Sequence, residues 1–340
     1  KLAQKHSDLF DLCQEYLGGA GRWISWISSI LFCIGILVSY DILMSSTLYE
    51  TVESIRELAH HGNSPLEHTR VWTPWIAAGF VALIVLPLSC IRKYELLVKV
   101  NTWSVAFMIF VMLFFFGSSI RQGFGTVPKS ALFDSHFGWL SGILTAAFLI
   151  HNAVINIFKA QRHPENNVRD LTLGYVLVIC TYLFVGSVCF GAYHNSDFVK
   201  QHGFIPEDFL LIFSRKNIGA LIARIALVLQ LLSSYPLLCT ITRIQFFGML
   251  LKNQFPGWPH VIALNIVMIG IGTVVAIFLP RLATVLRFVG STSGAVLFVL
   301  PTTLYWTKLY REHQKIPVLQ SIVSAVLLLL GVALLVSQFL

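Results

Sequence analysis

Nine separate stretches of this chain are apolar for about 18 residues or more, long enough to cross a bilayer core as helix. They fall at about 22–48, 74–91, 98–120, 138–159, 171–193, 218–250, 259–280, 284–307 and 317–340. In hydrocarbon every backbone N–H and C=O must be satisfied within its own helix or in a closed barrel. Runs of this length therefore predict an all-α polytopic membrane protein. Composition agrees, with 56% hydrophobic and only 12% charged residues and a mean hydropathy of +0.74. A soluble domain carries about 25% charged residues. The expected organisation is a short interfacial helix within 1–21, followed by one transmembrane domain over 22–340. The amino-terminal SDLFDLCQEYLGG carries Leu9, Leu12, Cys13, Tyr16 and Leu17 at helical spacing, with Ser7 as N-cap and Gly18-Gly19 as stop.

The net charge of +8 does not point to nucleic acid, because the basic residues are scattered over short loops without a basic stripe or an aromatic platform. Their distribution instead sets orientation. With the amino end cytosolic, that side collects fourteen basic residues against nine on the other, which also carries Glu50, Glu53, Glu57 and Glu67. The six cysteines include no CxxC pair, so neither a disulfide framework nor a zinc site is expected. Paired carboxylates, zinc-ligand spacing and a Ser/His/Asp arrangement are also missing, so an enzyme is not the expected reading.

Polar groups inside apolar spans are costly and mark cavities or interhelical partners. Four stretches carry them. His151 and Asn152 end the run GILTAAFLIHN. In SSYPLLCTITR, Ser233 and Ser234 bring hydroxyls, and Pro236 after Tyr235 frees a backbone carbonyl. Oxygen ligands of this kind suit a sodium ion at a broken helix, whereas serines bonded back to their own helix give a plain proline kink. In VSYDILMSS, Asp41 beside Tyr40 is a carboxylate within a span; it is placed to meet a cationic substrate group, Arg224, or water at the helix end. Finally Gly290 and Gly294 form a GxxxG face for tight packing.

The stretch Ile150-His151-Asn152 followed by Glu165-Asn166-Asn167-Val168-Arg169-Asp170-Leu171 resembles the sodium-coupled neutral amino acid transporters, within the amino acid/auxin permeases. It is most similar to their lysosomal, arginine-sensing branch. Val38 to Ser45, Tyr235 to Leu238 with Thr242 to Gln245, and Gly290 with Phe298, Pro301 and Tyr305 agree, and the likeness runs from about residue 7 to 340. The resemblance implies a leucine-transporter-like inverted-repeat fold of eleven helices. The nine spans match its third to eleventh, so the first two helices and a cytosolic amino terminus are expected to precede Lys1. It further implies a multi-pass lysosomal protein that carries arginine, leucine or glutamine with Na+, and signals to the mTOR kinase complex through Rag GTPases and the Ragulator scaffold. Substrate-lining residues would be Tyr40, Asp41, His151, Asn152, Tyr235 and Pro236; sodium ligands would be Ser233 and Ser234. A receptor with little flux is the alternative function.

Overall fold

A computed structural model describes residues 9–59, 72–91, 94–125, 137–148, 163–251, 256–294, 298–311 and 318–337, with Val154 and Phe158 between. Helices in chain order are α1 (Leu9–Ala59), α2 (Pro74–Ser89), α3 (Tyr94–Gln122), α4 (Phe137–Ala147), α5 (Asn167–Tyr193) and α6 (Asp197–His202). They continue as α7 (Ile218–Leu251), α8 (Trp258–Phe278), α9 (Leu282–Gly294), α10 (Leu300–Arg311) and α11 (Val318–Ser337). The protein is an all-α membrane protein: among the described residues there is no strand, and five helices are long and apolar enough to cross a bilayer.

α1 is much longer than its apolar run because the expected interfacial helix joins it. Gly18 takes φ 76° and ψ −169°, a conformation that costs glycine little, so the chain turns there and resumes helix on the far side. The apolar face of the first segment is used against protein: Leu12 and Cys13 pack on Leu300 and Leu304 of α10. Arg311 adds a hydrogen bond to the Glu15 carbonyl at 2.5 Å. At its other end α1 runs past the apolar stretch into the charged residues Glu50, Glu53 and Arg56.

The bundle centres on α1, whose side chains meet α2, α7 and α8. Leu37 and Met44 of α1, Val81 and Val85 of α2, Leu231, Tyr235 and Cys239 of α7, and Met268 and Ile269 of α8 form one buried cluster. Burial of such side chains contributes little against lipid, so close approach and hydrogen bonds must select the packing. Small residues supply that approach. Gly290 of α9 lies against the backbone of Gly142 in α4, leaving no room for a Cβ, and Gly35 of α1 receives Val289 in the same way. Of the GxxxG face expected at Gly290 and Gly294, Gly290 makes a close contact, with α9 packed between α1 and α4.

Candidate functional site

α7 carries most of the polar groups inside the bundle, and it presents them on two faces. It runs without interruption through Pro236. On one face, Tyr235 is fully buried and its hydroxyl donates to Oδ2 of Asp41 on α1 at 2.9 Å. Asp41 is 2% exposed, so the carboxylate lies inside the bundle rather than at a wet helix end. The slot that holds it is cut by Gly272 of α8: a Cβ there would overlap Oδ2 of Asp41. The second oxygen, Oδ1, is buried and has no hydrogen-bond partner among the described residues. Around the pair are Leu37, Met44, Val81, Val85, Leu231, Met268 and Ile269, with Tyr40 packed at the margin of the same cluster. Pro236, next on α7, is buried as well.

On the adjoining face, Ser234 turns to α3, donating to Oδ1 of Asn101 at 2.7 Å and approaching the Gln230 carbonyl at 3.1 Å. Ser233 donates to that Gln230 carbonyl at 2.7 Å, so it bonds back to its own helix. Ser104 shares Asn101, bonding its carbonyl at 2.7 Å. Hydroxyl, carboxamide and main-chain oxygens thus gather between α3 and α7. Asn101 was not among the residues expected from sequence; an asparagine at the start of the apolar run 98–120 was the available signal.

The expected site residues therefore divide. Tyr235 and Asp41 meet directly, with Tyr40 and Pro236 nearby; Ser234 meets α3, while Ser233 bonds back to its own helix. His151 and Asn152 lie outside the described residues. The option of an Asp41–Arg224 pair is not realised. Arg224 sits eleven residues before Tyr235, about 16 Å along the helix. Its Nη1 donates to the Ser54 hydroxyl at 2.8 Å, and its Nη2 donates to the carbonyls of Leu210 and Phe213 at 3.0 and 3.1 Å.

Those bonds pin the segment before α7 onto α1. A short 3-10 turn at Phe209–Ile212, capped by Asp208 through the Leu210 N–H at 3.0 Å, is held beneath Arg224. Burial pushes the Asp208 carboxyl above its ordinary range. Beside it Arg215 makes a two-pronged ion pair with Glu50, at 2.8 and 2.9 Å, which raises the guanidinium pKa further. Next to this clamp is an open cavity of about 650 Å³, lined among others by Phe114, Arg121, Tyr193, Ser196, Phe213 and Asn217.

At the opposite end of α7 another polar group closes the bundle. Asn265 of α8, fully buried, donates to the Ser89 carbonyl at 3.1 Å, and Arg243 reaches the same carbonyl at 3.5 Å. Gln245 accepts from Ser29 at 2.8 Å, while its own carbonyl takes the Trp26 indole N–H at 3.1 Å.

Comparison with known proteins agrees with this architecture. Residues 2–340 match the family described as transmembrane amino acid transporter protein. Neutral amino acid transporter 9 of Danio rerio is 32% identical, over 97% of this chain and 68% of the relative. The protein of that name from Xenopus laevis is 30% identical over 97% and 67%. The sodium-coupled neutral amino acid transporter 9 homolog of Caenorhabditis elegans is 28% identical over 98% and 62%. The chain spans about two thirds of the length of these relatives. It belongs to the transmembrane amino acid transporter family, within the amino acid/auxin permeases.

Proposed function

We propose that this chain carries amino acids across a lysosomal membrane, coupled to sodium, taking arginine and neutral amino acids such as leucine and glutamine. The observation that carries the reading is the Asp41–Tyr235 pair, a buried carboxylate with an unused oxygen in the middle of an apolar bundle. An ionisable group left half-bonded there is costly, and such groups inside membrane bundles mark working sites. In this reading Asp41 and Tyr235 place a buried negative charge beside the substrate path, and Tyr40, Pro236, His151 and Asn152 line it.

The sodium assignment draws support from the oxygens gathered around Ser234, Asn101 and Gln230, and from the name of the Caenorhabditis elegans relative. Hard oxygen donors without a sulfur or imidazole are what an alkali cation prefers. Lysosomal placement and signalling through Rag GTPases and Ragulator are carried by the sequence resemblance.

Uptake of labelled amino acid into proteoliposomes, with and without a sodium gradient, tests the reading. Ser233→Ala combined with Ser234→Ala is expected to remove the sodium response while leaving exchange of internal for external amino acid. A double variant that keeps the full sodium response refutes the cation site, and no exchange at all by the wild-type protein refutes carriage.

A further inference from the structure

The Asp41 carboxylate has the geometry of a site for one small ligand, and its surroundings restrict which. Oδ2 rests against Gly272 so closely that not even a methyl group would fit between. A metal cation would have to gather several oxygens, yet the described neighbours offer two carboxyl oxygens and one tyrosine hydroxyl amid hydrocarbon and a thiol. An ammonium group would need more acceptors and more room. A proton needs neither: it adds to one carboxyl oxygen and converts a buried charge into a neutral acid.

We propose that Asp41 is a proton-binding site, and that it exchanges its proton with the end of the bundle marked by Arg243. The second half follows from the pattern along α7. Tyr235, Cys239 and Arg243 follow one another at intervals of four, so they line one stripe of the helix. The Cys239 thiol lies beside the Ser89 hydroxyl of α2. Asn265 reaches the Ser89 carbonyl at 3.1 Å and the Cys90 sulfur at 3.5 Å, while its Oδ1 is buried with no partner among the described residues. Hydroxyl, thiol and carboxamide thus continue from Asp41 towards Arg243 as hosts for transient water.

In the other direction α1 offers Ser45, Thr47 and Thr51, but each hydroxyl donates to a carbonyl of its own helix, and the facing stretch of α7 is apolar. Leu231, Leu227 and Met44 occupy the turn between Tyr235 and Arg224. The titratable and charged groups facing Asp41 are Tyr235 and Cys239 on α7, with Tyr40 adjoining it on α1. The cluster residues of α2 and α8 nearest it, Val81, Val85, Met268, Ile269 and Gly272, do not titrate. On α9, Arg287 is stacked over Trp139 of α4 at 4.3 Å. At the far end of the stripe lie Cys90 and Arg243. The step itself is simple: a proton from water forms an O–H bond on the carboxylate, leaving a carboxylic acid, and is returned to water when the acid ionises.

The inference rests on the reading of Asp41 as a working carboxylate, but its test does not require transport. Difference infrared spectroscopy on the full chain in lipid, with the pH stepped from acid to alkaline, reads the carbonyl stretch of a protonated carboxylic acid directly. The expected result is a titrating band that is lost in Asp41→Asn. In Tyr235→Phe, which removes the hydroxyl donor, the band changes frequency. Cys239→Val combined with Asn265→Leu is expected to slow the rise of the band several-fold after a pH jump applied at the Arg243 end. A titrating spectrum unchanged in Asp41→Asn and in Tyr235→Phe overturns the site; an unchanged rate in the double variant overturns the route. Because no amino acid or sodium is present, failure of carriage leaves this measurement standing. Should Asp41→Asn not fold, the Tyr235→Phe frequency decides alone.

Discussion

Two charges are buried within the bundle, Asp41 on α1 and Arg224 on α7, and their surroundings differ. Arg224 is 1% exposed and gives three hydrogen bonds to Ser54, Leu210 and Phe213, which fix the segment before α7 to α1. Asp41 is as deeply buried but has one hydroxyl donor and one oxygen left over. A guanidinium whose donors meet carbonyls is a structural cross-link. A carboxylate left short of donors is poised to accept something, because an unmade bond in low dielectric is expensive to keep. Burial alone does not mark a functional charge: both terminal nitrogens of Arg224 are bonded and only its Nε has no partner among the described residues, whereas Asp41 rests on a single donor.

The comparison breaks most readily at Arg224. Arg224→Leu strands two carbonyls and a serine hydroxyl, and is expected to cost about 3 kcal/mol, read as a large drop in melting temperature in detergent. A loss no greater than that of an exposed arginine would make the cross-link illusory. At Asp41 the sharper probe is its slot. Gly272→Ala forces a methyl onto the carboxylate and is expected to cost about 1–3 kcal/mol as overpacking. Pairing it with Asp41→Ala should recover most of that loss in a double-mutant cycle, and simple additivity would mean that the two residues do not meet.

The smallest effect is expected at Asp208, beside the Arg224 clamp. Its folded-state pKa is raised by burial above the ordinary value of 3.8, so its contribution to stability is complete below that value and is lost as pH rises through the raised one. Asp208→Asn should flatten that part of the stability–pH curve, measured by melting temperature across acid to neutral buffers. An identical slope in both proteins would show that another group titrates there.

How much of this was legible beforehand differs from feature to feature. The long runs were: 98–120 became Tyr94–Gln122, 171–193 became Asn167–Tyr193, and 218–250 became Ile218–Leu251. Gly18 was expected to stop a helix, and it does break helical geometry, but the chain resumes helix beyond it, and the preceding segment packs on α10. Tyr235 and Asp41 were named separately as polar residues in greasy surroundings; only packing joins them. Gly272 carried no signal, because a lone glycine in an apolar helix looks the same whether it faces lipid or a carboxylate. Asn101 was visible as a polar residue but had no address.

The sequence by itself determined that this chain must live in a bilayer as helices, since apolar length and the need to satisfy each backbone amide are properties of a single segment. It also determined which side chains would be out of place there, and the family to which they belong. Tertiary structure decided which of those side chains meet. That choice depends on the rotation and approach of α1, α7 and α8, where Gly272 leaves room for the carboxylate so that one oxygen finds a donor and its neighbour finds none.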